Sequence, residues 1–220
     1  VKSDGAVSYN GATDLDGESF ITLKGTSADG EASMIRWANH GQMNNYYGCV
    51  QQGSSGQADF VWTSYNGSAY AERMRITASG VVTKPFHPAF YANKNGHMFE
   101  QSGGNKMTGW SATTNVGSHW DTTNDKFVAP VAGTYHFGLN VMSGQTTGDV
   151  QFRIFKNDAL WAGSNSISQG GSWRQTVVTA VITLAVNDYV DFHAYSSATN
   201  SSIHMAYEGT YTHIDGHLIG

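Results

Sequence analysis

The feature that most constrains this chain is a corner formed by Pro130 and Gly133 between two apolar stretches. Proline cannot donate a hydrogen bond to a β-ladder, and glycine permits a turn that a side chain would block. After the corner, Tyr135, Phe137 and Leu139 alternate with polar or small residues. This period of two predicts a β-strand with one buried face.

The composition favours a β-rich, turn-rich protein and excludes several classes. Only 13% of the residues are charged, 12% are aromatic, and there are 26 glycines. The net charge of −5 argues against a nucleic-acid partner, whose phosphates require clustered Lys and Arg. Apolar runs of membrane-spanning length do not occur, so membrane insertion is not expected. Cys49 is the single cysteine, which excludes an intrachain disulfide, and its neighbours Gly48 and Val50 predict a buried packing thiol.

Residues 1–84 are predicted to form a first β-rich region. Turns that contain glycine, such as Asn66-Gly67, separate short strand candidates. The apolar residues are so sparse that three copies sharing one core would explain the pattern, and a small independent β-domain is the alternative. The strand candidates lie at residues 20–23, 32–37, 45–50, 59–63 and 72–77.

Pro85 and Pro88 mark a stiff linker, so a second domain is predicted at residues 85–220. About ten strands without a helical period favour a two-sheet sandwich or jelly roll. The predicted fold class is therefore all-β, with an intertwined trimeric β-stalk followed by a jelly-roll head. The strand candidates lie at residues 89–92, 106–110, 119–121, 126–128, 133–142, 150–156, 160–162, 173–184, 189–195 and 210–219.

Two sets of motifs resemble known families. The run Glu72-Arg73-Met74-Arg75-Ile76, followed by a turn at Ser79-Gly80, resembles a segment that precedes the distal domain in phage tail fibres and related trimeric adhesins. The second domain is similar to the globular head of complement's first component, a jelly roll of tumour-necrosis-factor type that is trimeric. The motifs that carry this likeness, in order, are Phe127-x-Ala129-Pro130-x-x-Gly133-x-Tyr135-x-Phe137, Lys156-Asn157, Thr183-Leu184 through Asp188-x-Val190, and Gly216-x-Leu218-Ile219.

Together these resemblances imply the distal, receptor-binding part of a phage tail fibre. The partners would be two further copies of the chain, upstream tail-fibre segments, and a bacterial surface polysaccharide or outer-membrane protein. The location would be the virion, at the tip of the fibre. Motifs for nucleophilic, metalloprotease or phosphate chemistry do not appear, so no enzyme is predicted. A glycan-degrading tailspike, which needs only two suitably spaced carboxylates, and a secreted recognition protein outside phages are the alternatives.

Two polar loops flanked by aromatic residues are the candidate ligand site. Small polar residues beside rigid aromatic rings supply adaptable hydrogen bonds and flat stacking surfaces, which suit glycans. The alternative is that Trp161 and Trp173 are core residues at strand ends. The candidate ligand-binding residues are Trp161, Asn165, Trp173, Arg174, Tyr195 and Asn200.

The last strand is predicted to bury Ile214 and Gly216 in the core and to turn Tyr211, His213 and His217 toward a partner subunit. A register slip of one residue would exchange these faces. On a threefold axis, three copies of His213 could bind a transition metal, although a polar subunit contact is the simpler interpretation.

Asp121 and Asp125 lie in an acidic loop that could hold calcium, although such residues are also ordinary turn formers. No cofactor is predicted.

Overall fold

The computed structural model describes residues 32–39, 43–52, 57–94, 103–144, 149–165, 167–168, 172–196, 204–205 and 211–220. Their regular secondary structure is entirely β-strand, as the sequence predicts. The described residues contain no helix that is long and apolar enough to cross a membrane. The chain divides into two compact units, Val1–Pro85 and Phe86–Gly220.

The first unit contains one antiparallel sheet whose five strands follow one another in chain order. The four longer strands correspond to sequence-predicted strands, while the candidate at residues 20–23 lies outside the described residues. Gly67 takes a φ of 99°, so the Asn66-Gly67 turn uses the backbone region that glycine favours. The strands are β1 (Ala32–Asn39), β2 (Met43–Gln52), β3 (Gln57–Tyr65), β4 (Tyr70–Ile76) and β5 (Val82–Thr83).

This sheet buries little apolar surface. Among the side chains of the first unit that the structure describes, Val61 alone is a fully buried hydrophobic. Val61 lies opposite Gly48, which is also buried, whereas Cys49 is one residue further along β2 and lies opposite Phe60. Successive side chains of a strand point to opposite faces, so Cys49 is on the other face and is exposed. The prediction of a buried thiol at Cys49 is therefore wrong.

The second unit is a jelly-roll sandwich of two antiparallel sheets. We call them the β12 sheet, with strand order β13-β12-β16-β10-β9, and the β11 sheet, with order β15-β11-β18-β6-β8. In addition, β14 pairs with β12, β7 with β16, and β17 with β11. The strands are β6 (Ala89–Lys94), β7 (Gly103–Lys106), β8 (Trp110–Val116), β9 (Trp120–Asp121), β10 (Lys126–Val128), β11 (Gly133–Gly144), β12 (Asp149–Lys156), β13 (Ala159–Gly163), β14 (Ile167–Ser168), β15 (Arg174–Leu184), β16 (Tyr189–Ser196), β17 (His204–Met205) and β18 (His213–Leu218).

A cluster of aromatic rings fills the core between the two sheets. Phe90 stacks on Trp120 and on Phe127, with centroids 4.8 and 5.4 Å apart, and Phe127 meets Phe137 edge to face at 5.5 Å. Gly216 makes this packing possible, because a Cβ there would lie 2.5 Å from the Phe90 ring and 2.6 Å from the Phe137 ring. The alternation that follows the proline–glycine corner therefore selects the core residues correctly.

One predicted strand, at residues 106–110, is wrong. Lys106 ends β7 in the β12 sheet, and Trp110 begins β8 in the β11 sheet, so the intervening residues cross between sheets. Gly109 takes a φ of 76° at this crossing. The sequence analysis also missed most of β8, because this edge strand is polar and a bulge opposite Tyr91 and Ala92 interrupts its register.

Candidate functional site

The ends of several strands from both sheets lie together at one end of the sandwich, which we call the loop end. Ser143, near the end of β11, pairs with Arg174 at the start of β15. Val150, near the start of β12, pairs with Ser196 at the end of β16. Only residues 145–148 connect β11 to β12, so these strand ends of the two sheets lie close together. The opposite end carries tight turns, such as Asn157-Asp158 with φ values of 47° and 63°.

Trp161 and Asn165 are both exposed on or just after β13. The Trp161 side chain is 51% exposed, so it is not a core residue. Its ring lies 5.7 Å from Nζ of Lys156, which also forms an ion pair with Asp188 at 3.1 Å. These neighbours belong to the tight-turn end, so Trp161 is directed away from the loop end.

Trp173 and Arg174 lie at the loop end, where β15 begins. Trp173 is 39% exposed, and its ring packs against Gly144, where a Cβ would come within 2.7 Å of it. Arg174 is exposed. Asn200 lies outside the described residues. Among the six candidate ligand-binding residues, Trp173 and Arg174 are therefore consecutive residues at the start of β15 in the β11 sheet. Trp161 and Tyr195 belong to the β12 sheet.

Tyr195 belongs to a patch of cations and aromatic rings on the outward face of the β12 sheet. The guanidinium carbon of Arg153 lies 4.4 Å from the centroid of the Tyr195 ring. Gln151 Oε1 fixes this arrangement by accepting hydrogen bonds from Arg153 Nε at 3.1 Å and Nη2 at 2.6 Å. Phe155 and His193 stack beside the pair with their centroids 4.1 Å apart. We call Arg153, Phe155, His193 and Tyr195 the Arg153 patch.

Glycines and a buried carboxylate shape this patch. Two glycines border the patch. A Cβ on Gly163 would lie 3.3 Å from the Arg153 side chain, and a Cβ on Gly104 would lie 3.6 Å from the Tyr195 ring. Beside the patch, Asp191 forms an ion pair with Lys106 at 3.0 Å and a hydrogen bond with Nε2 of His193 at 3.2 Å. Burial alone would raise the pKa of Asp191, but the hydrogen bonds from His193 and Lys106 outweigh it and lower that pKa. The aspartate is therefore ionised and holds the Lys106 and His193 side chains in place.

Sequence reasoning missed Arg153, Phe155 and His193, although the information was present in part. The alternation of residues 150–156 and 189–195 assigns the three side chains to outward positions. What the pattern lacks is the cross-strand register, in which Arg153 lies opposite His193.

The outward face of the β11 sheet is a second exposed surface. On β15, Val177 is 60% exposed and Val181 is 57% exposed, while the alternate residues point into the core. The predicted subunit-contact residues lie on or beside this face: Tyr211 and His217 are exposed and His213 is half-buried. Ile214 and Gly216 are buried on the opposite side of β18, as the alternation predicts.

Three metal-ligating side chains converge on this second face. His136 of β11 lies directly opposite His217 of β18, and Asp215 lies opposite Gly138. The ligand atoms of His136, Asp215 and His217 all lie within 4.8 Å of one another. His213, the metal candidate from the sequence, is not in this group; its Nε2 lies 3.4 Å from Asn140 Nδ2.

The two candidate calcium ligands accept hydrogen bonds from the protein itself. Asp121 accepts hydrogen bonds from the backbone of Thr123 and Asn124 and from the Asn124 side chain, at 2.7 to 3.0 Å. The bond from the Asn124 side chain is the largest cause that lowers the pKa of Asp121. Asp125 accepts the backbone N–H groups of Gly109 and Trp110 at 3.0 and 3.3 Å. These contacts organise turns, which is the alternative that the sequence leaves open.

Comparison with known proteins assigns the second unit to a family. The model of the C1q domain family matches residues 89–219. Among solved structures, the globular domain of zebrafish complement 1qA protein is 18% identical, with a TM-score of 0.46 over 61% of this chain and 98% of that chain. Eiger TNF from S. frugiperda is 9% identical, with a TM-score of 0.46 over 61% and 93% of the two chains. Murine APRIL is 10% identical, with a TM-score of 0.48 over 60% and 99%. No curated protein sequence matches the chain.

Proposed function

The chain belongs to the C1q domain family through its second unit, and from this premise we propose that it is the receptor-binding distal part of a phage tail fibre. Domains of this type generally bind other molecules and are not enzymes. In the proposed role, three copies form a head that adheres to a polysaccharide or protein on the bacterial surface. The protein would act at the tip of the fibre, outside the host cell.

The observation that carries the proposal is the pair of exposed valines on the outward face of the β11 sheet. Val177 and Val181 are more than half exposed although they lie on a long, well-formed strand, and Tyr91 faces outward on the same sheet. C1q-type domains typically form homotrimers, so the occupant we assign to this face is a second copy of the chain. Contact between copies would remove these side chains from water and contribute about 25 cal/mol for each Å² of apolar surface buried.

The first unit supports a shared interior. Its described strands form a single layer, and a sheet needs a second layer to bury one of its faces. Sheets from three chains could cover one another and provide that layer. The motif at residues 72–76, which resembles tail fibres, lies within β4. Here Arg75 forms one ion pair with Asp59, which ties β4 to β3, and a second with Glu72 within β4.

The Arg153 patch supplies chemistry suited to a glycan. Tyr195 and Phe155 offer ring faces for the apolar side of a sugar, and Arg153 can bind a carboxylate or phosphate substituent. A trimer would present three such patches, and weak single contacts would add through multivalency.

The proposal is tested by measuring binding of the full chain to a panel of bacterial strains with altered surface polysaccharides. Binding that depends on one surface structure supports the proposal, and the absence of binding to any bacterial cell contradicts it. The C1q match equally favours the second candidate, a secreted recognition protein outside phages, and Gly-x-y repeats upstream of the chain would favour that candidate. Release of reducing sugar ends during the assay would identify a tailspike enzyme instead.

A further inference from the structure

We propose that His136, Asp215 and His217 form a binding site for a divalent transition-metal ion, with Zn²⁺ as the ion that fits best. All three side chains belong to one protomer. The site is therefore complete without a partner copy and does not rest on the proposed function.

The sheet register places the three ligands side by side. His136 and His217 are cross-strand neighbours, with their ring centroids 5.3 Å apart. Asp215 precedes His217 by two residues on β18, so the two side chains share a face. Its Oδ2 atom lies 3.9 Å from Nδ1 of His136. Because neighbouring strands fix the backbone, the three groups are held together before any ion arrives.

Two features indicate a built site rather than a chance cluster. The first is Gly138, opposite Asp215: a Cβ there would lie 3.1 Å from Cγ and 3.2 Å from Oδ2 of Asp215. The missing side chain thus leaves room for the carboxylate beside His136. The second is Nδ1 of His136, which is buried and forms no hydrogen bond with the described residues. A buried polar atom without a partner is costly, and a coordinated metal ion would provide one.

The ligand chemistry selects the class of ion. Two imidazole nitrogens and one carboxylate oxygen suit Zn²⁺, with water in the fourth position, whereas Ca²⁺ and Mg²⁺ prefer oxygen ligands throughout. Ligands of one tetrahedral zinc ion at its usual bond lengths lie about 3.4 Å apart. The ligand atoms of the three side chains lie within 4.8 Å of one another, so side-chain movements of about 1 Å would bring them to the distances of a zinc site. His217 is exposed and provides access from solvent.

Zinc titration of the full chain tests the site. The protein is first treated with a chelator and desalted. Isothermal titration calorimetry with zinc chloride should then show that one zinc ion binds per chain with micromolar or tighter affinity. His136→Gln, His217→Gln and Asp215→Asn should each weaken binding by at least about tenfold, because even the outer-shell partners of metal ligands change affinity ten- to a hundredfold. His119→Gln, which removes an imidazole from a turn near β9, is the matched control and should keep the wild-type affinity.

A second measurement avoids any substitution. Crystals of the unsubstituted chain grown with zinc chloride should show an anomalous difference peak between the three side chains at the zinc absorption edge. The proposal is overturned if zinc does not bind at millimolar concentration, if the three variants bind as tightly as the wild type, or if the anomalous peak lies elsewhere.

Discussion

His136 and His217 lie directly opposite each other on β11 and β18, although 80 residues separate them in the chain. Their rings are 5.3 Å apart at the centroids, on the sheet face that also exposes Val177 and Val181. The proposed metal site thus lies beside the exposed valines of β15. If copies associate through this face, the proposed ion would lie at or near the subunit contact.

The first prediction concerns assembly. Val177→Asp or Val181→Asp should convert a trimer into monomers, because three charges would be placed in the contact between copies and would lose their hydration there. Light scattering on the full chain measures the change. Val186→Asp is the matched control: Val186 is 54% exposed in the turn before β16 and should tolerate the charge. A trimer that survives both β15 substitutions contradicts the assigned contact.

The second prediction concerns recognition. Arg153→Ala or Tyr195→Ala should weaken the binding of single protomers to the host surface by up to about tenfold. This factor corresponds to the free energy that one aromatic contact contributes. Lys126→Ala is the control, since Lys126 lies 4.5 Å from the Tyr189 ring in a similar pair outside the Arg153 patch. We also expect Trp173→Ala to reduce cell binding without loss of the trimer. The patch is rejected if Arg153→Ala and Tyr195→Ala adsorb to host cells as well as the wild type and Lys126→Ala do.

The third prediction concerns packing of the core. Gly216→Ala should destabilise the second unit by about 1–3 kcal/mol, because its Cβ would overlap the rings of Phe90 and Phe137. Phe137→Ala should cost about 3–5 kcal/mol by leaving a cavity. Thermal and denaturant unfolding measure both effects. Gly104→Ala adds a methyl group at an exposed position, 3.6 Å from Tyr195, and should change stability little.

The fourth prediction concerns acid stability. The hydrogen bond from Asn157, with those from the Ala185 backbone and Lys156, lowers the pKa of Asp188 from 3.8 to about 2. A pKa that is lower in the folded state contributes stability above the unfolded value, and this stability is lost as the pH falls from about 4 to about 2. Asp188→Asn should therefore flatten the pH dependence of unfolding in that window. NMR titration should also show a higher Asp188 pKa in Asn157→Ala; an unchanged value would contradict the assigned cause.

The sequence predicted the fold where local chemistry was sufficient. Alternation after the Pro130 corner identified Tyr135, Phe137 and Leu139 as core residues, and Asn66-Gly67 was correctly interpreted as a turn. The strand prediction from the sequence failed at Met107, where the chain crosses between the two sheets, because crossings and strands contain similar residue types. It also failed for Cys49, whose small apolar neighbours suggested burial, although the register placed it on the exposed face.

The sequence by itself determined that this chain forms short antiparallel strands and which side of each strand is apolar, because the period of two and the preferences of turn residues are local properties. Only the tertiary structure decided which outward side chains meet. The pairing of β11 with β18 brings His136 to Asp215 and His217, and the pairing of β12 with β16 brings Arg153 to His193. Both depend on the register between segments far apart in the chain, which is set when the two sheets close on their shared core.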